Sequence, residues 1–155
     1  MNFILSSIEK GTNALYSENL ENEKRLGKKA KLMSKLTQRI LASIDYSRIR
    51  KVRKENMLYL HNILEKYNEF DVNIESDTHM YYPLLVSNHD IRQRIVGRKI
   101  YTPTWWKHVP NYFQSEILEA RLSMYMLMIP IDQRYDTSDM LDISRIILEE
   151  YRRCC

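Results

Sequence analysis

Four consecutive residues near the end of the chain, Asp132-Gln133-Arg134-Tyr135, carry more chemistry than a chain reversal requires. The guanidinium of Arg134 has the planar fork that clamps a carboxylate or phosphate bidentately. Its alternative partners are Asp132 and Asp136 on the same chain. A second concentration is aromatic: Tyr101, Trp105, Trp106, His108 and Tyr112 fall close together. Such a set gives a binding loop large contact area with polar tips, or folds down as a lid on the core.

Other chemistries find little support. The four histidines, His61, His79, His89 and His108, are far apart, and no pair has the i,i+3 or i,i+4 spacing of a helical metal site. A phosphate cradle needs glycines that let backbone N–H groups approach the anion, and Gly11, Gly27 and Gly97 are isolated from one another. No serine stands in a nucleophile-elbow pattern. Cys154 and Cys155 are adjacent and terminal, so they allow no disulfide framework, and the chain reads as cytoplasmic. Neither a metal nor a catalytic residue is assigned.

The tetrad must be positioned by what flanks it. Met124 to Ile129 is almost wholly apolar and predicts a strand ended by Pro130; Thr137 to Arg152 predicts a helix with Thr137 or Ser138 as its cap. Upstream, apolar residues at Ile49, Val52, Tyr59, Leu60, Ile63 and Leu64 follow the helical period and predict a helix from Tyr46 to Asn68. Ser34 is placed to cap a shorter helix from Lys35 to Ser43, and residues 3–26 predict helix with a thin apolar stripe. Met80 to Val86 predicts a strand in which Pro83 enforces an edge or a bulge. Asn88 is placed to cap a helix that Gly97 stops, Lys99 to Thr102 predicts a further strand, and Ser115 to Leu122 a short helix. The order is that of an α+β fold: a small sheet of three or four strands with helices on one face, preceded by long N-terminal helices. Residues 1–33 form a helical lead-in arm and residues 34–155 the domain proper.

At 155 residues, with 44% hydrophobic and 28% charged residues, the chain has the composition of a globular protein able to bury its own core. The longest apolar run, Met124 to Ile131, holds eight residues and is broken by Pro130, well short of the ~20 that span a bilayer. Charge is unevenly spread. The segment Lys24–Lys54 carries twelve of the 24 Lys and Arg and one of the 20 acids, which makes it +11 against −7 for the remainder. Such a segment suits a phosphate backbone or an acidic protein partner. Without interleaved aromatics or a recognition motif, nucleic acid is the weaker option.

Taken in order, "SKLTQRILASIDYSRIRKVRKENMLYLHNIL" (Ser34–Leu64), "MYYPLLVSNHDIRQRIVGRKIYTPTWW" (Met80–Trp106) and "SEILEARLSMYMLMIPIDQRYDTSDMLDISRIILEEY" (Ser115–Tyr151) resemble the C-terminal small domain of DegT-type pyridoxal-phosphate (PLP) aminotransferases, the sugar-aminotransferase branch of fold type I. The resemblance covers about three quarters of the chain and rests on an R-x-x-N stretch at Arg53–Asn56, a "K-I-Y-x-P-x-W" stretch at Lys99–Trp105 and "P-I-D-Q-R-Y" at Pro130–Tyr135. Ile129 stands where the family usually has leucine. The resemblance implies that the Schiff-base lysine and the phosphate loop belong to a large domain outside these residues. It implies a truncated or split small domain without transaminase activity or cofactor of its own, cytoplasmic, and partnered by a large-domain chain or by copies of itself. Tyr101, Trp105, Trp106, Asp132, Gln133, Arg134 and Tyr135 are then the expected substrate or domain-interface residues.

Overall fold

Three helix starts in this chain are written by side chains that accept from exposed backbone N–H groups. In the computed structural model, which describes residues 16–24, 32–75, 79–112 and 117–154, Ser34 accepts from the backbone N of Thr37 at 3.1 Å and opens a helix at Lys35. Asp45 does the same for Arg48 at 2.9 Å, and Asn88 for Asp90 at 2.9 Å. The chain divides into two compact units, Met1–Ile44 and Asp45–Cys155.

The first unit contributes two described helices, α1 (Tyr16–Lys24) and α2 (Lys35–Ala42). The rest of the helix expected over residues 3–26 lies outside the described residues. Alpha-2 buries none of its residues: Leu36, Ile40 and Leu41 are all exposed.

The second unit contains α3 (Tyr46–Leu64), β1 (Tyr81–Leu85), α4 (His89–Gly97), α5 (Leu118–Tyr125), β2 (Met126–Pro130) and α6 (Thr137–Cys154), with 3-10 turns at Glu65–Tyr67 and Val109–Asn111. The architecture is α+β, as expected. β1 and β2 pair antiparallel in unbroken register, with Tyr82 opposite Ile129 and Leu84 opposite Leu127. Because alternate residues share a face, Tyr82, Leu84, Leu127 and Ile129 all enter one core. There they meet Met57, Leu60 and Leu64 of α3 and Met140 and Ile147 of α6.

Two strands pair among the described residues, and the further strand expected at Lys99–Thr102 is not formed. Lys99 takes the left-handed conformation at φ 67°. Ile100 then folds back, donating from its backbone N to Ile95 O at 2.9 Å, and buries its side chain. The helix stop is therefore Lys99, not Gly97, which remains the last helical residue. Pro83 is accommodated without a bulge, because its side of β1 is the outer edge. That edge is closed by a side chain: Asn68 Nδ2 donates to Pro83 O and Leu85 N donates to Asn68 Oδ1, both at 2.8 Å. Glu69 adds a backbone bond to Leu85 O at 2.9 Å. An amide side chain and one peptide unit thus stand in for a third strand and leave less edge for intermolecular pairing.

Candidate functional site

The tetrad begins as a turn. Tyr135 N donates to Asp132 O at 3.1 Å, and Arg134 N donates to Asp132 Oδ1 at 3.0 Å, the side-chain bond that makes aspartate a favoured first residue of turns. The carboxylate also receives a fork from Arg134: Nε to Oδ1 and Nη2 to Oδ2, each at 2.8 Å. Asp132 is nearly buried, whereas the Arg134 side chain is 76% exposed. Of the two acids available to Arg134, Asp132 is the one used.

Asp136 has a different task. Its Oδ1 accepts from the backbone N of Ser138 at 2.8 Å and of Asp139 at 3.2 Å, while its own backbone N donates to Asp139 Oδ2 at 2.9 Å. This is a reciprocal capping box. The cap of α6 is therefore Asp136, where Thr137 or Ser138 was expected; a carboxylate one residue earlier reaches both N–H groups, and Ser138 adds its hydroxyl to the same oxygen at 2.7 Å.

Gln133 faces α3. Arg53 donates through Nε and Nη2 to Gln133 Oε1 at 3.1 and 2.9 Å. One helical turn on, Asn56 is buried, and its Nδ2 donates to Tyr135 O at 3.0 Å and Ile131 O at 3.3 Å, reaching Asp132 O at 3.5 Å. Its Oδ1 is buried with no hydrogen-bond partner among the described residues. The R-x-x-N stretch and the I-D-Q-R-Y corner, some eighty positions apart, are thus two halves of one lock. Sequence reasoning noted Arg53 and Asn56 without giving either a role. The available signal was Asn56 itself, an amide between Val52 and Leu60 on the apolar stripe of an amphipathic helix.

Asp132, Arg134, Tyr135 and Tyr101 line one cleft of about 460 Å³, with Lys99 and Asp139 on its rim and Ile143 and Ile146 of α6 on its apolar side. Gln133, committed to Arg53, is not part of it. Trp105 and Trp106 line a separate cavity of about 160 Å³ on the other side of the Tyr101–Trp106 loop. Tyr81 connects the two regions: it lines the cleft, and its ring stands edge-on to Trp105 at 5.8 Å. The seven expected residues therefore fall into two neighbouring sites and one structural contact.

The carboxylates around the corner are held in their charged forms. Asp132 lies below its ordinary pKa chiefly because Arg134 hydrogen-bonds its side chain, which outweighs the opposite push of burial. Asp136 is lowered by the Ser138 hydroxyl and by the backbone N–H groups of Asp139 and Ser138. Glu69 is pushed up by burial but more strongly down by Ser87 and by Arg121, whose Nη2 donates to it at 2.8 Å. Each folded-state pKa is depressed. The associated stability is therefore fully present above the unfolded values, about 3.9 for Asp and 4.3 for Glu, and is lost as pH falls through the lower folded values. The urea midpoint is expected to be flat down to about pH 5 and to fall steeply below about pH 4. In Asp132→Asn the midpoint at neutral pH drops and the acid slope becomes shallower. A slope as steep as the parent's would place the acid sensitivity elsewhere.

Among the described residues no group of three or more His, Cys, Asp or Glu is placed to hold a metal ion, and no helix is long and apolar enough to cross a membrane. Compared with protein-family models, with curated proteins and with solved structures, the chain has no match.

Proposed function

We propose that these residues form a non-catalytic module akin to the small domain of DegT-type sugar aminotransferases, which works by packing against a larger partner: a large-domain chain or a second copy. The observation that carries this reading is the lock between α3 and the corner. The two stretches that best express the family resemblance bind each other, and in doing so they commit the polar atoms a catalyst would need. Arg134 is tied to Asp132, Gln133 to Arg53, and Asn56 to the corner's carbonyls.

The chemistry of PLP supports the same reading. PLP requires an enclosed lysine and a glycine-rich phosphate loop. Every described lysine is exposed, and Gly97 is the one described glycine, at the end of a helix. These residues do not fit the cofactor. The partner-facing surface, in this reading, is the basic first half of α3, where Arg48, Arg50, Lys51 and Lys54 are exposed. Among the described residues, Lys51 alone of these pairs its side chain with an acid, Glu55 at 4.0 Å. The exposed Leu36, Ile40 and Leu41 of α2 are a second surface suited to burial by a partner.

Two measurements test the proposal. Incubation with PLP followed by borohydride reduction is expected to leave the mass of the chain unchanged; a stoichiometric adduct at one lysine would overturn the non-catalytic half. Sedimentation at micromolar concentration, alone and with a DegT-type large-domain chain, is expected to show a complex. A monomer under both conditions would overturn the docking half.

A further inference from the structure

The sheet has a second face. Opposite the core side, Pro83, Met126 and Met128 are only half-buried, and they line the 160 Å³ cavity together with Trp105, Trp106 and Phe70. The backbone around this cavity is held in an unfavourable conformation. Trp106 sits at φ 51°, left-handed backbone that a bulky side chain rarely adopts. Two side chains from neighbouring elements hold the loop there. The buried Ser123 hydroxyl reaches Trp106 O at 2.9 Å and Trp105 O at 3.2 Å. Arg92 donates through Nη1 to Pro103 O at 3.2 Å and to the hydroxyls of Thr102 and Thr104 at 3.3 Å. A strained loop held by two dedicated anchors beside an apolar cavity has the form of a preorganised binding site.

We propose that this cavity binds an uncharged aromatic molecule about the size of one ring. Size sets the first limit, since an apolar space of roughly 150 Å³ takes up benzene. Charge is the second. Among the described residues no ionisable side chain lines the cavity, and the hydroxyl of Ser123 is already committed. An anion would lose its hydration there with nothing in exchange, and a cation would meet ring faces but no carboxylate to neutralise it. The lining then selects aromatic over aliphatic. Methionine sulfur and aromatic ring edges both gain from a π system, and Met126, Met128, Phe70, Trp105 and Trp106 supply them. Trp105 and Trp106 already stand edge to face at 5.7 Å and 80°.

Trp105 and Trp106 are the chain's two tryptophans, so its tryptophan emission reports on this loop alone. The full chain is titrated with toluene, with cyclohexane as the aliphatic ring and with benzoate as the charged one. Toluene is expected to produce a saturable change in emission. Cyclohexane is expected to bind roughly three- to tenfold more weakly, and benzoate not to saturate. Leu122→Phe, which adds a ring to the cavity lining, is expected to abolish the toluene response while keeping the parent's far-UV spectrum. If Leu122→Phe loses that spectrum, Ser123→Ala carries the test: it frees the loop without altering the apolar lining, and toluene should bind several-fold more weakly. A linear response to toluene, equal affinity for cyclohexane, or toluene binding unchanged in a folded Leu122→Phe or Ser123→Ala protein would overturn the proposal.

Discussion

Replacing Asn56 by aspartate is expected to destabilise the unit Asp45–Cys155 by about 3–5 kcal/mol at neutral pH, enough to unfold it or nearly so. The exchange keeps the size and shape of the side chain and reverses its hydrogen bonding. Asn56 is a donor to the carbonyls of Tyr135 and Ile131 in a buried setting. An ionised aspartate would set a charge against those same carbonyl oxygens. Asn56→Ala is milder, at about 2–3 kcal/mol, because it leaves the carbonyls unsatisfied without opposing them. The pH response separates the electrostatic cause from a steric one. Burial and the facing carbonyl dipoles would raise the pKa of the new carboxyl. The damage should therefore ease as pH falls and the carboxyl protonates, just where the parent protein begins to lose stability. Urea denaturation followed by far-UV circular dichroism at several pH values measures this. An Asn56→Asp protein as stable as Asn56→Ala at pH 7 would show that the amide donor does not hold the corner.

The elements that hydrophobic period and caps could specify were legible in the sequence. Alpha-3 begins at Tyr46 as expected and departs from expectation at its end, where the last residues tighten into the 3-10 turn Glu65–Tyr67. β1 falls within the run Met80–Val86 that indicated it, whereas β2 starts two residues later than expected and includes Pro130, because Met124 and Tyr125 complete α5. The failures share a cause: bonds to the preceding helix overrode the preference of the segment itself. Lys99-Ile100-Tyr101-Thr102 has the composition of a strand. Its fate was set by Ile95 O, which captures the Ile100 N–H, and by Arg92, which captures the Thr102 hydroxyl. The first is the bond of a helix end closed by a left-handed residue, and the second comes from a side chain of that helix; the apolar alternation of the segment shows neither.

The candidate site was half legible for a related reason. The residue types of the tetrad pointed to Arg134 and to its two possible partners. The choice of Asp132 depends on a turn that places Arg134 N over the same carboxylate, and on Asp136 being consumed by the cap of α6. A polar cluster thus reads as chemistry in sequence until each donor is given its acceptor. Here the acceptors lie within the corner and on a helix about eighty residues away. The aromatic loop is the converse. It was recognised by composition, but the Ser123 and Arg92 anchors that make it a cavity wall carry no sequence signature.

Arg92 is the second position where a single change should have a large effect. Its guanidinium is half-buried, and burial lowers its pKa from the ordinary arginine value. Arginine's starting value is so high that the charge remains at any physiological pH. No carboxylate within salt-bridge distance of it is found among the described residues; its partners are neutral oxygens. One arm holds Thr102, Pro103 and Thr104, and the other donates to Met126 O at 2.7 Å and reaches Met124 O at 3.5 Å. One side chain of α4 thereby fixes the aromatic loop to the point where α5 becomes β2. Arg92→Met preserves much of the apolar stem and removes every donor, and is expected to cost about 2–4 kcal/mol. Arg92→Lys should recover only part of this, because one ammonium cannot span both arms of the fork. The loss should also be uneven. Three of the fork's partners, Thr102, Pro103 and Thr104, directly precede Trp105 and Trp106, whereas the core of Tyr82, Leu84, Leu127 and Ile129 adjoins the fork only through Met126. In Arg92→Met the tryptophan-emission transition in urea is therefore expected to precede the far-UV transition, while in the parent the two coincide. Coincident transitions in the variant, at a midpoint unchanged from the parent, would show that Arg92 does not anchor the loop.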